Sequence, residues 1–531
     1  MRYLQPMTLM RPTPPFSLVS LCVCALAVFS APAQNQTPPD HQQPAASAST
    51  TAPQAPEWKP EALPPLPPDA SVPQTATING QTLHYTATVG TIPLYNIIDP
   101  AKPEMKTGEV VFTSYILDGI KNTAERPVTF AMNGGPGAAS VYLNFGAIGP
   151  KHISFAEQGN SPSDPPRLTD NPGSWLPFSD LVFIDPIGTG YSRPLVSQAE
   201  MKKFFYSTNP DIEYLSRVIY DWLVKNGRLQ SRKYLIGESY GGYRGPRVTH
   251  FLQSRLGVAM NGLILVSPYL DPSLEIAREI SPLPWMLTLP SITAAHLERE
   301  DKLTSERMAD VIAYTRGQYV TDLLAGRSDP QATPRMIQKV TELTGLDPAF
   351  VKHSGGRLEA EAYLREAHRE KGEIGSIYDS NVTAPDPFPY SPYPRSNDPI
   401  LEAAVAPTTM AMVDWVTRVV GWKTIARYNA LSYEVGEQWD NGNPTRTPQN
   451  ASNDLREAVA ADPKLHVLIA HGWDDLSCPF MGSILTVDQM PIMGDPKRVS
   501  VHEYPGGHMF YTRPGSQAAF VKDVQAMIAE H

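Results

Sequence analysis

The sequence predicts an α/β protein with a mostly parallel central sheet, an antiparallel N-terminal edge and an inserted helical cap. Three observations predict this class: short apolar runs that end in glycine-rich turns, helical patterns between those runs, and one long interval in which helical patterns replace the runs. Parallel strands need crossover connections and are buried on both faces, so they read as short continuous apolar runs. With 41% hydrophobic residues among 531, the chain can bury a large core.

Residues 1–33 have the pattern of a secretory signal peptide. Arg2 and Arg11 precede an apolar run from Phe16 to Phe29, and small residues follow at 30–33. The run has about 14 residues, whereas a membrane-spanning helix needs roughly 20. We therefore expect cleavage at the end of this segment, a secreted or periplasmic protein, and no stable membrane anchor after cleavage.

Residues 34–74 are predicted to be a linker, because proline makes up 12 of the 42 residues from Pro32 to Pro73 and favours an extended chain. Cys22 and Cys24 would be removed with the signal peptide, which leaves Cys478 as the one cysteine of the mature chain. A large domain can be stable through its apolar core without a disulfide. The mature protein is therefore expected to lack disulfide bonds within the chain.

Net charge argues against a nucleic-acid ligand, and histidine spacing argues against a zinc ion. The formal net charge is −10 and the chain has no block of basic residues, so no nucleic-acid partner is expected. The next histidine after His502 is His508, six residues away instead of the four that a helical zinc pair requires. We expect no metal ion and no other cofactor. The sequence does not define the oligomeric state.

Residues 75–270 are predicted to be the first part of the core. Alternating apolar residues from Thr75 to Val89 flank Asn79-Gly80, which suits a tight hairpin turn, and Val110–Ile116 is the next strand of this antiparallel edge. A helix is predicted from Ile212 to Lys225 by apolar residues at helical spacing. The parallel strands are predicted at five short apolar runs: Val128–Met132, Leu181–Ile184, Tyr234–Ile236, Leu263–Val266 and His466–Ala470.

Residues 271–462 are expected to form the helical cap. Apolar residues recur with helical spacing over Ser305–Leu324 and Met336–Leu343, and no strand pattern is recognised in this interval. The proline-aromatic segment Pro385–Pro399 is expected to be a surface loop, either a plain connection or a contact to substrate. The core resumes at residues 463–531.

A nucleophilic serine is predicted at Ser239, in the sequence Gly-Glu-Ser-Tyr-Gly at 237–241, directly after a strand. A serine hydroxyl is a weak nucleophile, so it needs exposure, a base and donors for an oxyanion. The sequence Asn-Gly-Gly-Pro-Gly at 133–137 follows another strand, where α/β hydrolases place a second oxyanion donor. Gly135 and Tyr240 are the candidate backbone donors, and a simple turn is the alternative for 133–137.

The base and its orienting acid are expected later in the chain, in the order Ser, Asp, His. Asp474 and Asp475 follow the predicted parallel strand that resumes after the cap, and His508 follows two glycines after a further short apolar run. Both groups therefore lie where parallel strands end, the edge at which such sheets form sites. His466 and His471 are expected to be strand-edge residues instead.

Together these motifs resemble those of peptidase family S10, the serine carboxypeptidases, within the α/β-hydrolase fold. The matches occur in the order that the family has and span residues 75–525. The matching segments are Asn133–Gly137, Asn171–Trp175, Phe183–Ser192, Gly237–Gly242, Asp475–Cys478 and Gly507–Met509. The resemblance implies the α/β-hydrolase form of the predicted sheet and cap.

The resemblance also implies a role for three side chains. Ser239 would attack the scissile carbonyl, His508 would take up and return the proton, and Asp475 would hold the imidazole in the required tautomer. Asp474 is the alternative orienting acid, although the spacing to Cys478 in the family pattern favours Asp475.

The substrate-binding set implied by the resemblance is Asn133, Gly134, Glu238, Cys478 and Met509. In the family, the asparagine of the glycine turn and the glutamate before the serine bind the terminal carboxylate of the substrate, which gives Asn133 and Glu238 here. Two facing carboxylates must share a proton, so Glu238 would need a raised pKa, and activity would favour acidic pH. The alternative is that Glu238 is a turn carboxylate bonded to nearby N–H groups.

Two positions depart from the family pattern. Ala147 stands where the family often has a second recognition glutamate, and Ala138 stands where it has a cysteine. The function expected is a secreted serine carboxypeptidase that acts on a peptide with a free C-terminus through an acyl-enzyme on Ser239. Because Ala147 weakens carboxylate recognition, an esterase or acyltransferase on the same scaffold remains an alternative. A non-catalytic binding protein is the other alternative.

Overall fold

The computed structural model describes residues 64–96, 105–153, 162–163, 165–391, 398–441 and 450–530, which all belong to one unit, Trp58–His531. The predicted signal peptide and the linker as far as residue 63 lie outside the described residues, so they stay predictions. Residues 70–74, at the end of the predicted linker, belong instead to the first strand, Ala70–Ile78. Within the ranges given, no helix combines the length and the apolar composition needed to cross a bilayer.

A ten-stranded sheet forms the centre of the fold. Nine strands follow one path in the order β1-β2-β3-β5-β4-β6-β7-β8-β9, and the short strand Arg193–Pro194 pairs with β3. The nine strands are β1 (Ala70–Ile78), β2 (Gln81–Tyr95), β3 (Lys106–Leu117), β4 (Val128–Met132), β5 (Asp180–Ile184), β6 (Lys233–Glu238), β7 (Gly262–Val266), β8 (His466–Gly472) and β9 (Val499–Tyr504).

The direction of pairing confirms the predicted fold class. The pairs β1–β2, β2–β3 and β3–β5 are antiparallel, whereas every later pair on the path is parallel. Asn79 and Gly80 join β1 to β2 with φ of 50° and 81°, as a two-residue hairpin turn requires. All residues of β4, β5, β6 and β7 are buried, which explains why they read as unbroken apolar runs.

Helices cover both faces of the sheet. Leu215 and Trp222 of α2 belong to the apolar core on one face, and Phe520 and Val524 of α14 belong to the core on the other. The helices are α1 (Met201–Phe204), α2 (Thr208–Lys225), α3 (Tyr240–Phe251), α4 (Leu283–Arg299), α5 (Ser305–Tyr314), α6 (Val320–Ala325), α7 (Ala332–Thr344), α8 (Pro348–His353), α9 (Ala360–Glu366), α10 (Pro399–Asp414), α11 (Tyr433–Gln438), α12 (Ala451–Ala461), α13 (Phe480–Asp488) and α14 (Pro514–Ala529).

The interval between β7 and β8 contains α4–α12, so the predicted insertion is mostly helical. It also contains a short antiparallel pair, Glu373–Gly375 with Thr383–Pro385, which the helical pattern did not predict. Helices α4 and α7 share an apolar cluster of their own, separate from the sheet. In contrast, Met412 of α10 and Leu455 of α12 pack in the cores against the sheet. The independent part of the cap is therefore narrower than the predicted interval 271–462.

Two local predictions in the cap can be compared with the structure. The helix predicted at 305–324 is present as α5 and α6, joined by a wider helical turn at Thr315–Tyr319. The loop predicted at 385–399 begins on the last residue of the strand Thr383–Pro385, is irregular from Asp386 to Ser391, and ends at the first residue of α10. Residues 392–397 lie outside the described residues. An ion pair of 2.9 Å between Arg365 and Asp386 attaches the first part of this loop to α9.

Candidate active site

Ser239 lies at the sharp turn between β6 and α3. Its backbone has φ 61° and ψ −120°, a conformation that a residue other than glycine keeps only when its surroundings enforce it. A Cβ added at Gly237 would lie 2.0 Å from the carbonyl oxygen of Gly241, so the turn requires glycine there. The Ser239 N–H donates to the carbonyl oxygen of Val266 at 3.0 Å. The serine side chain is half-buried, which leaves it accessible to a reactant.

The glycine-rich turn at 133–137 packs directly on the serine turn. A Cβ added at Gly134 would lie only 2.4 Å from the backbone nitrogen of Tyr240. Gly135 has φ of 103°, and its peptide bond to Pro136 is cis. Because Tyr240 is the first residue of α3, its N–H has no partner within the helix. The two predicted oxyanion donors therefore belong to two turns that touch each other beside Ser239.

His508 and Asp475 form a buried pair. The Nδ1 atom of His508 lies 2.8 Å from Oδ2 of Asp475. The other carboxylate oxygen of Asp475 accepts hydrogen bonds from the backbone N–H groups of Ser477 at 2.8 Å and Cys478 at 3.0 Å. Burial alone would lower the pKa of His508, but Asp475 stabilises the imidazolium and raises the pKa above its ordinary value. Asp475, and not Asp474, is thus the acid that contacts the imidazole.

Two contacts join this pair to the serine turn. The hydroxyl of Ser267, at the end of β7, donates to the carbonyl oxygen of His508 at 2.9 Å. The Ser239 side chain lies close enough to the Cys478 thiol to affect its pKa. Burial raises the pKa of the Cys478 thiol, so it stays protonated. The described hydrogen bonds do not include one between Ser239 and His508, and such bonds commonly tighten only when a substrate is bound.

Glu238 is a buried acid adjacent to the nucleophile turn. Its Oε2 atom accepts hydrogen bonds from the Asn133 side-chain amide at 3.0 Å and from the Tyr511 hydroxyl at 2.7 Å. Burial raises the pKa of Glu238, and the nearby His508 acts in the opposite direction. One of these two partners is a side-chain N–H group, so the alternative of a turn carboxylate bonded to nearby N–H groups stays open. Glu238 is a buried acid with a raised pKa beside Ser239.

Three tyrosines near Glu238 or His508 were not singled out from the sequence. Tyr511 bonds Glu238, and Tyr142 is close enough to Glu238 for the carboxylate charge to raise its pKa, although burial contributes most to that shift. The ring of Tyr378 packs edge-on against His508, with 5.2 Å between ring centroids. The position of Tyr511, shortly after His508, was the one available signal. Tyr142 and Tyr378 lie in distant segments that carry no recognisable motif.

Two further residues from the sequence analysis, Met509 and Ala147, accept hydrogen bonds through their backbone carbonyl oxygens. Met509 is half-buried in the apolar core, and its carbonyl oxygen accepts from Thr512. Ala147 is buried, and its carbonyl oxygen accepts from the side-chain amides of Asn171 at 3.0 Å and Gln517 at 3.2 Å. Position 147 therefore supplies a structural carbonyl oxygen and no carboxylate.

The other histidines at the ends of β8 differ from each other. His466 lies at the start of the strand, 3.0 Å from Glu530, as a strand-edge residue would. His471 is fully buried instead, with its Nε2 atom 2.8 Å from the Ser483 hydroxyl. Burial, together with the charge of His508, lowers the pKa of His471 to about 3, so this ring is neutral.

One group of described side chains has the spacing of metal ligands: His250, Asp454 and Glu457, on α3 and α12. The two ring nitrogens of His250 already contact the carboxylates, at 2.8 Å from Asp454 and 3.2 Å from Glu457. The guanidinium of Arg247 also lies 3.2 Å from Asp454. Because a cationic side chain already occupies this carboxylate, the group is better described as an ion-pair network that joins two helices.

Two curated relatives are named as a carboxypeptidase-like protein and a carboxypeptidase. A serine carboxypeptidase-like protein of Arabidopsis thaliana, number 9, is 26% identical over 180 residues, which are 32% of this chain and 39% of the relative. The pheromone-processing carboxypeptidase KEX1 of Ogataea parapolymorpha is 28% identical over 184 residues, or 34% of this chain and 26% of the relative. The matched segments thus span less than half of either relative.

The fold and the family model agree with these relatives. The crystal structure of Kex1(delta)p, a prohormone-processing carboxypeptidase from Saccharomyces cerevisiae, superposes with a TM-score of 0.52 and 16% identity, over 84% of this chain and 92% of that chain. At that identity the match establishes the α/β-hydrolase fold alone. The model of the serine carboxypeptidase family, peptidase S10, matches residues 112–528. This chain therefore belongs to the serine carboxypeptidase family.

Proposed function

We propose that this protein hydrolyses C-terminal peptide bonds through an acyl-enzyme on Ser239. The observation that carries the proposal is the 2.8 Å contact between His508 Nδ1 and Asp475 Oδ2, in a site that also holds a serine in a strained turn. Because Asp475 binds Nδ1, the neutral imidazole carries its proton there and leaves Nε2 to accept the proton of a hydroxyl. Membership of the serine carboxypeptidase family supports this assignment.

The proposed reaction has two halves. The Ser239 oxygen attacks the carbonyl carbon of the last peptide bond while its proton passes to His508, and the N–H groups of Gly135 and Tyr240 stabilise the oxyanion. The C–N bond then breaks, His508 gives the proton to the leaving amine, and the C-terminal amino acid departs. A water molecule attacks the acyl-enzyme, again with His508 as base, and its collapse releases the shortened peptide and restores the serine hydroxyl.

Glu238 and Asn133 are proposed to select the free C-terminus. A protonated Glu238 can donate a hydrogen bond to the terminal carboxylate of a peptide, whereas an ionised Glu238 would repel it. The raised pKa of Glu238 and its contact with Asn133 support this role. Gly134 is the third member of this proposed subsite, because its backbone lies against the serine turn. Cys478 and Met509 are proposed to line the substrate channel near Ser239 and His508.

Ala147 favours a second candidate function on the same scaffold. This position contributes a backbone carbonyl oxygen to Asn171 and Gln517 and offers no acid to a substrate. An acyl-enzyme on Ser239 can also form from an ester and be resolved by an acceptor other than water. The second candidate is therefore an esterase or acyltransferase.

The deciding experiment compares three substrates that share one acyl group: a blocked dipeptide with a free carboxylate, its C-terminal amide and its C-terminal ester. A carboxypeptidase should prefer the free acid by at least about tenfold in kcat/KM, because one charge-assisted bond is lost in the others. Equal cleavage of all three would favour the esterase instead.

Ser239→Ala is the companion variant. It should lose at least about a thousandfold in kcat on every substrate, because the acyl-enzyme cannot form. The wild-type protein should be labelled by a fluorophosphonate probe and the variant should not. A wild-type protein that neither reacts with the probe nor turns over any of the three substrates would be a binding protein.

Secretion or export to a periplasm is proposed together with this activity, on the pattern of residues 1–33. Expression of the full chain followed by N-terminal sequencing of the exported protein tests it. The mature protein should begin close to residue 34, and a protein retained in the cytoplasm with its first residues intact would contradict the proposal.

A further inference from the structure

A segment of the cap region holds both loops that carry the imidazole and its acid. The carbonyl oxygen of Ile377 accepts the N–H of Leu476 at 3.0 Å, next to Asp475. The carbonyl oxygen of Tyr378 accepts the N–H of His508 at 2.5 Å. Residues 376–381, which we call the clamp segment, therefore link the aspartate loop to the histidine loop.

Side chains from several elements meet behind the clamp segment. Arg513 contacts Glu298 of α4 at 2.5 Å and Asp379 of the clamp segment at 2.7 Å, and lies 3.9 Å from Asp474. The side-chain amide of Asn381 donates to Glu298 at 2.9 Å and to Asp474 at 3.2 Å. We call Glu298, Asp379, Asp474 and Arg513 the acidic cluster.

The cluster contains more acids than bases. Three carboxyl groups face one guanidinium. Arg299, the next cation, donates to the amide oxygen of Asn381 at 2.7 Å and to the Tyr363 hydroxyl at 3.3 Å instead of to a carboxylate of the cluster. The carboxyl groups of Asp474 and Glu298 share the Asn381 amide and Arg513 as neighbours and lie close enough to affect each other's pKa. Two carboxyl groups can hydrogen-bond at such an approach only when one of them carries a proton.

Asp474 is the member that keeps this proton. Its side chain is completely buried, whereas that of Glu298 is 24% exposed and pairs with Arg513. Burial and the bond to Glu298 raise the pKa of Asp474. For Glu298, burial is outweighed by the bond from Asp474 and the charge of Arg513, so its pKa is lowered. Burial also raises the pKa of Asp379, although its contact with Arg513 at 2.7 Å opposes that shift. Asp474 is the acid of the three that lies farthest from the guanidinium, at 3.9 Å.

The histidine loop rests on this cluster. The N–H of Asp474 donates to the carbonyl oxygen of Gly506 at 2.9 Å. A Cβ added at Gly507 would lie 2.0 Å from the carbonyl oxygen of Tyr378 and 2.5 Å from the Cβ of Asp379. The loop therefore approaches the clamp segment as closely as a backbone allows, and a displaced Asp379 or Asp474 would move the loop and His508 with it.

We propose that Asp474 is a positioning residue for the reaction assigned above: as a neutral acid bonded to Glu298, it holds the clamp segment and the loop of His508 in the arrangement that pairs His508 with Asp475. The inference rests on the proposed function, because it concerns how the base of that reaction is held. Loss of the proton would place three adjacent carboxylates against one guanidinium, and their repulsion would loosen the histidine loop.

The test uses the rate at which a fluorophosphonate labels Ser239, measured from pH 5 to pH 10. This labelling rate depends on the reactivity of Ser239 and His508. The probe has no carboxylate for Glu238 to bind, so the ionisation of Glu238 as a binding group should not change the rate. Asp474→Asn keeps the size and the neutral donor, and should label within about threefold of wild type at pH 6. Asp474→Ala removes the donor, and should label at least about tenfold more slowly at every pH, because a small displacement of a base has large effects.

The pH dependence separates positioning from a general loss of structure. Wild-type labelling should fall at alkaline pH as Asp474 ionises, whereas the Asp474→Asn profile should stay level. Glu300→Gln is the matched control: this exposed residue lies two positions after Glu298, and its ion pair in the described part of the chain is with Lys302, outside the cluster, so its profile should equal wild type. A downfield proton resonance from the His508–Asp475 hydrogen bond should be retained in Asp474→Asn and weakened in Asp474→Ala.

Three outcomes would overturn the inference: Asp474→Ala labelling at the wild-type rate, a retained resonance in that variant, or wild-type and Asp474→Asn profiles that superimpose to pH 10. None of them affects the proposed function, which fails separately if Ser239→Ala still turns over substrate. A thermal melting curve of each variant shows whether a slow rate comes from unfolding, and the folded Asp474→Asn protein keeps the inference testable even if Asp474→Ala does not fold.

Discussion

Glu238 and Asp474 are buried acids, and each directly precedes a residue of the proposed catalytic group. The partners of Glu238 are neutral, whereas Asp474 lies beside other carboxyl groups. Glu238 precedes Ser239 and accepts hydrogen bonds from two neutral groups, on Asn133 and Tyr511. Asp474 precedes Asp475 and contacts another acid, Glu298. Burial raises the pKa of both acids. A raised pKa alone therefore does not tell a binding group from a structural one.

The partners of each acid make the distinction. Glu238 lies beside the half-buried Ser239, so a proton on Glu238 can be offered to a ligand that reaches the serine. Asp474 faces Glu298, Asn381 and Arg513 inside a cluster of protein groups, so a proton on Asp474 would be shared with Glu298 and not offered to a ligand. We expect the first acid to affect substrate binding and the second to affect the placement of the base.

The largest effect is expected at Asp475, the acid that contacts the imidazole. Asp475→Asn would offer an amide to Nδ1, favour the wrong tautomer of His508, and lower kcat by about 10⁴-fold. KM should change less than kcat, because the described hydrogen bonds of Asp475 go to His508 and to the backbone of its own loop, and not to Asn133 or Glu238. Steady-state kinetics on a blocked dipeptide measures both.

Asp474→Asn is the matched neighbour of this variant, since it makes the same chemical change one residue earlier. At pH 6 it should keep kcat within about threefold of wild type, because the asparagine resembles the protonated acid. Comparable losses in both variants would contradict the distinction between the two aspartates.

A smaller effect, on KM, is expected at Glu238. Because burial raises its pKa, Glu238 keeps its proton at pH values where an ordinary glutamate has lost it. Binding of a free carboxylate is then fully present below that pKa and is lost as the pH rises through it. Glu238→Gln keeps a neutral donor and should flatten the alkaline rise in KM, while Glu238→Ala should raise KM by about 10- to 100-fold at acidic pH.

The amide of the same dipeptide is the control for Glu238. It carries no terminal carboxylate, so its KM should depend little on the residue at position 238 or on the ionisation of Glu238. If Glu238→Gln left the pH dependence of KM for the free acid unchanged, Glu238 would not be the group that selects the C-terminus.

Local sequence patterns were sufficient to predict the strands of the sheet and part of the candidate active site. The parallel strands are buried on both faces, so each appears in the sequence as an apolar run, and Asn79-Gly80 specifies its hairpin through two positive φ angles. Ser239 was recognisable because its turn needs glycine on either side, where a Cβ would collide with backbone atoms. In each of these cases the physical requirement acts on adjacent residues.

Contacts between distant segments could not be predicted in this way. Nothing near Tyr378 or Glu298 in the chain shows that these residues meet the loops of Asp475 and His508, because only the tertiary fold brings them together. The same holds for α10 and α12, which look like cap helices in sequence and pack on the sheet. Asp474 and Asp475 could not be separated by composition, since the direction of each side chain depends on the conformation of the loop.

The smallest effect is expected at Tyr511. Replacing Tyr511 changes the surroundings of Glu238 and leaves the acid itself unchanged, so it tests directly whether Glu238 controls KM. The Tyr511 hydroxyl donates to Glu238 at 2.7 Å, which stabilises the carboxylate and lowers its pKa against the larger effect of burial. Tyr511→Phe removes that donor, so the pKa of Glu238 should rise further. The pH at which KM for the free acid begins to increase should move upward by less than about one unit.

Tyr504→Phe is the matched control for this variant. The Tyr504 hydroxyl donates to Asp523 at 2.6 Å, so its removal deletes the same atom from a tyrosine on the preceding strand without touching Glu238. The KM profile of Tyr504→Phe should coincide with wild type. A downward shift in Tyr511→Phe, or equal shifts in both variants, would mean that the ionisation governing KM belongs to another group. In that event the raised pKa of Glu238 would reflect its burial and not a role in substrate binding. Glu238 would then be a structural acid like Asp474, and the two acids would no longer differ in function.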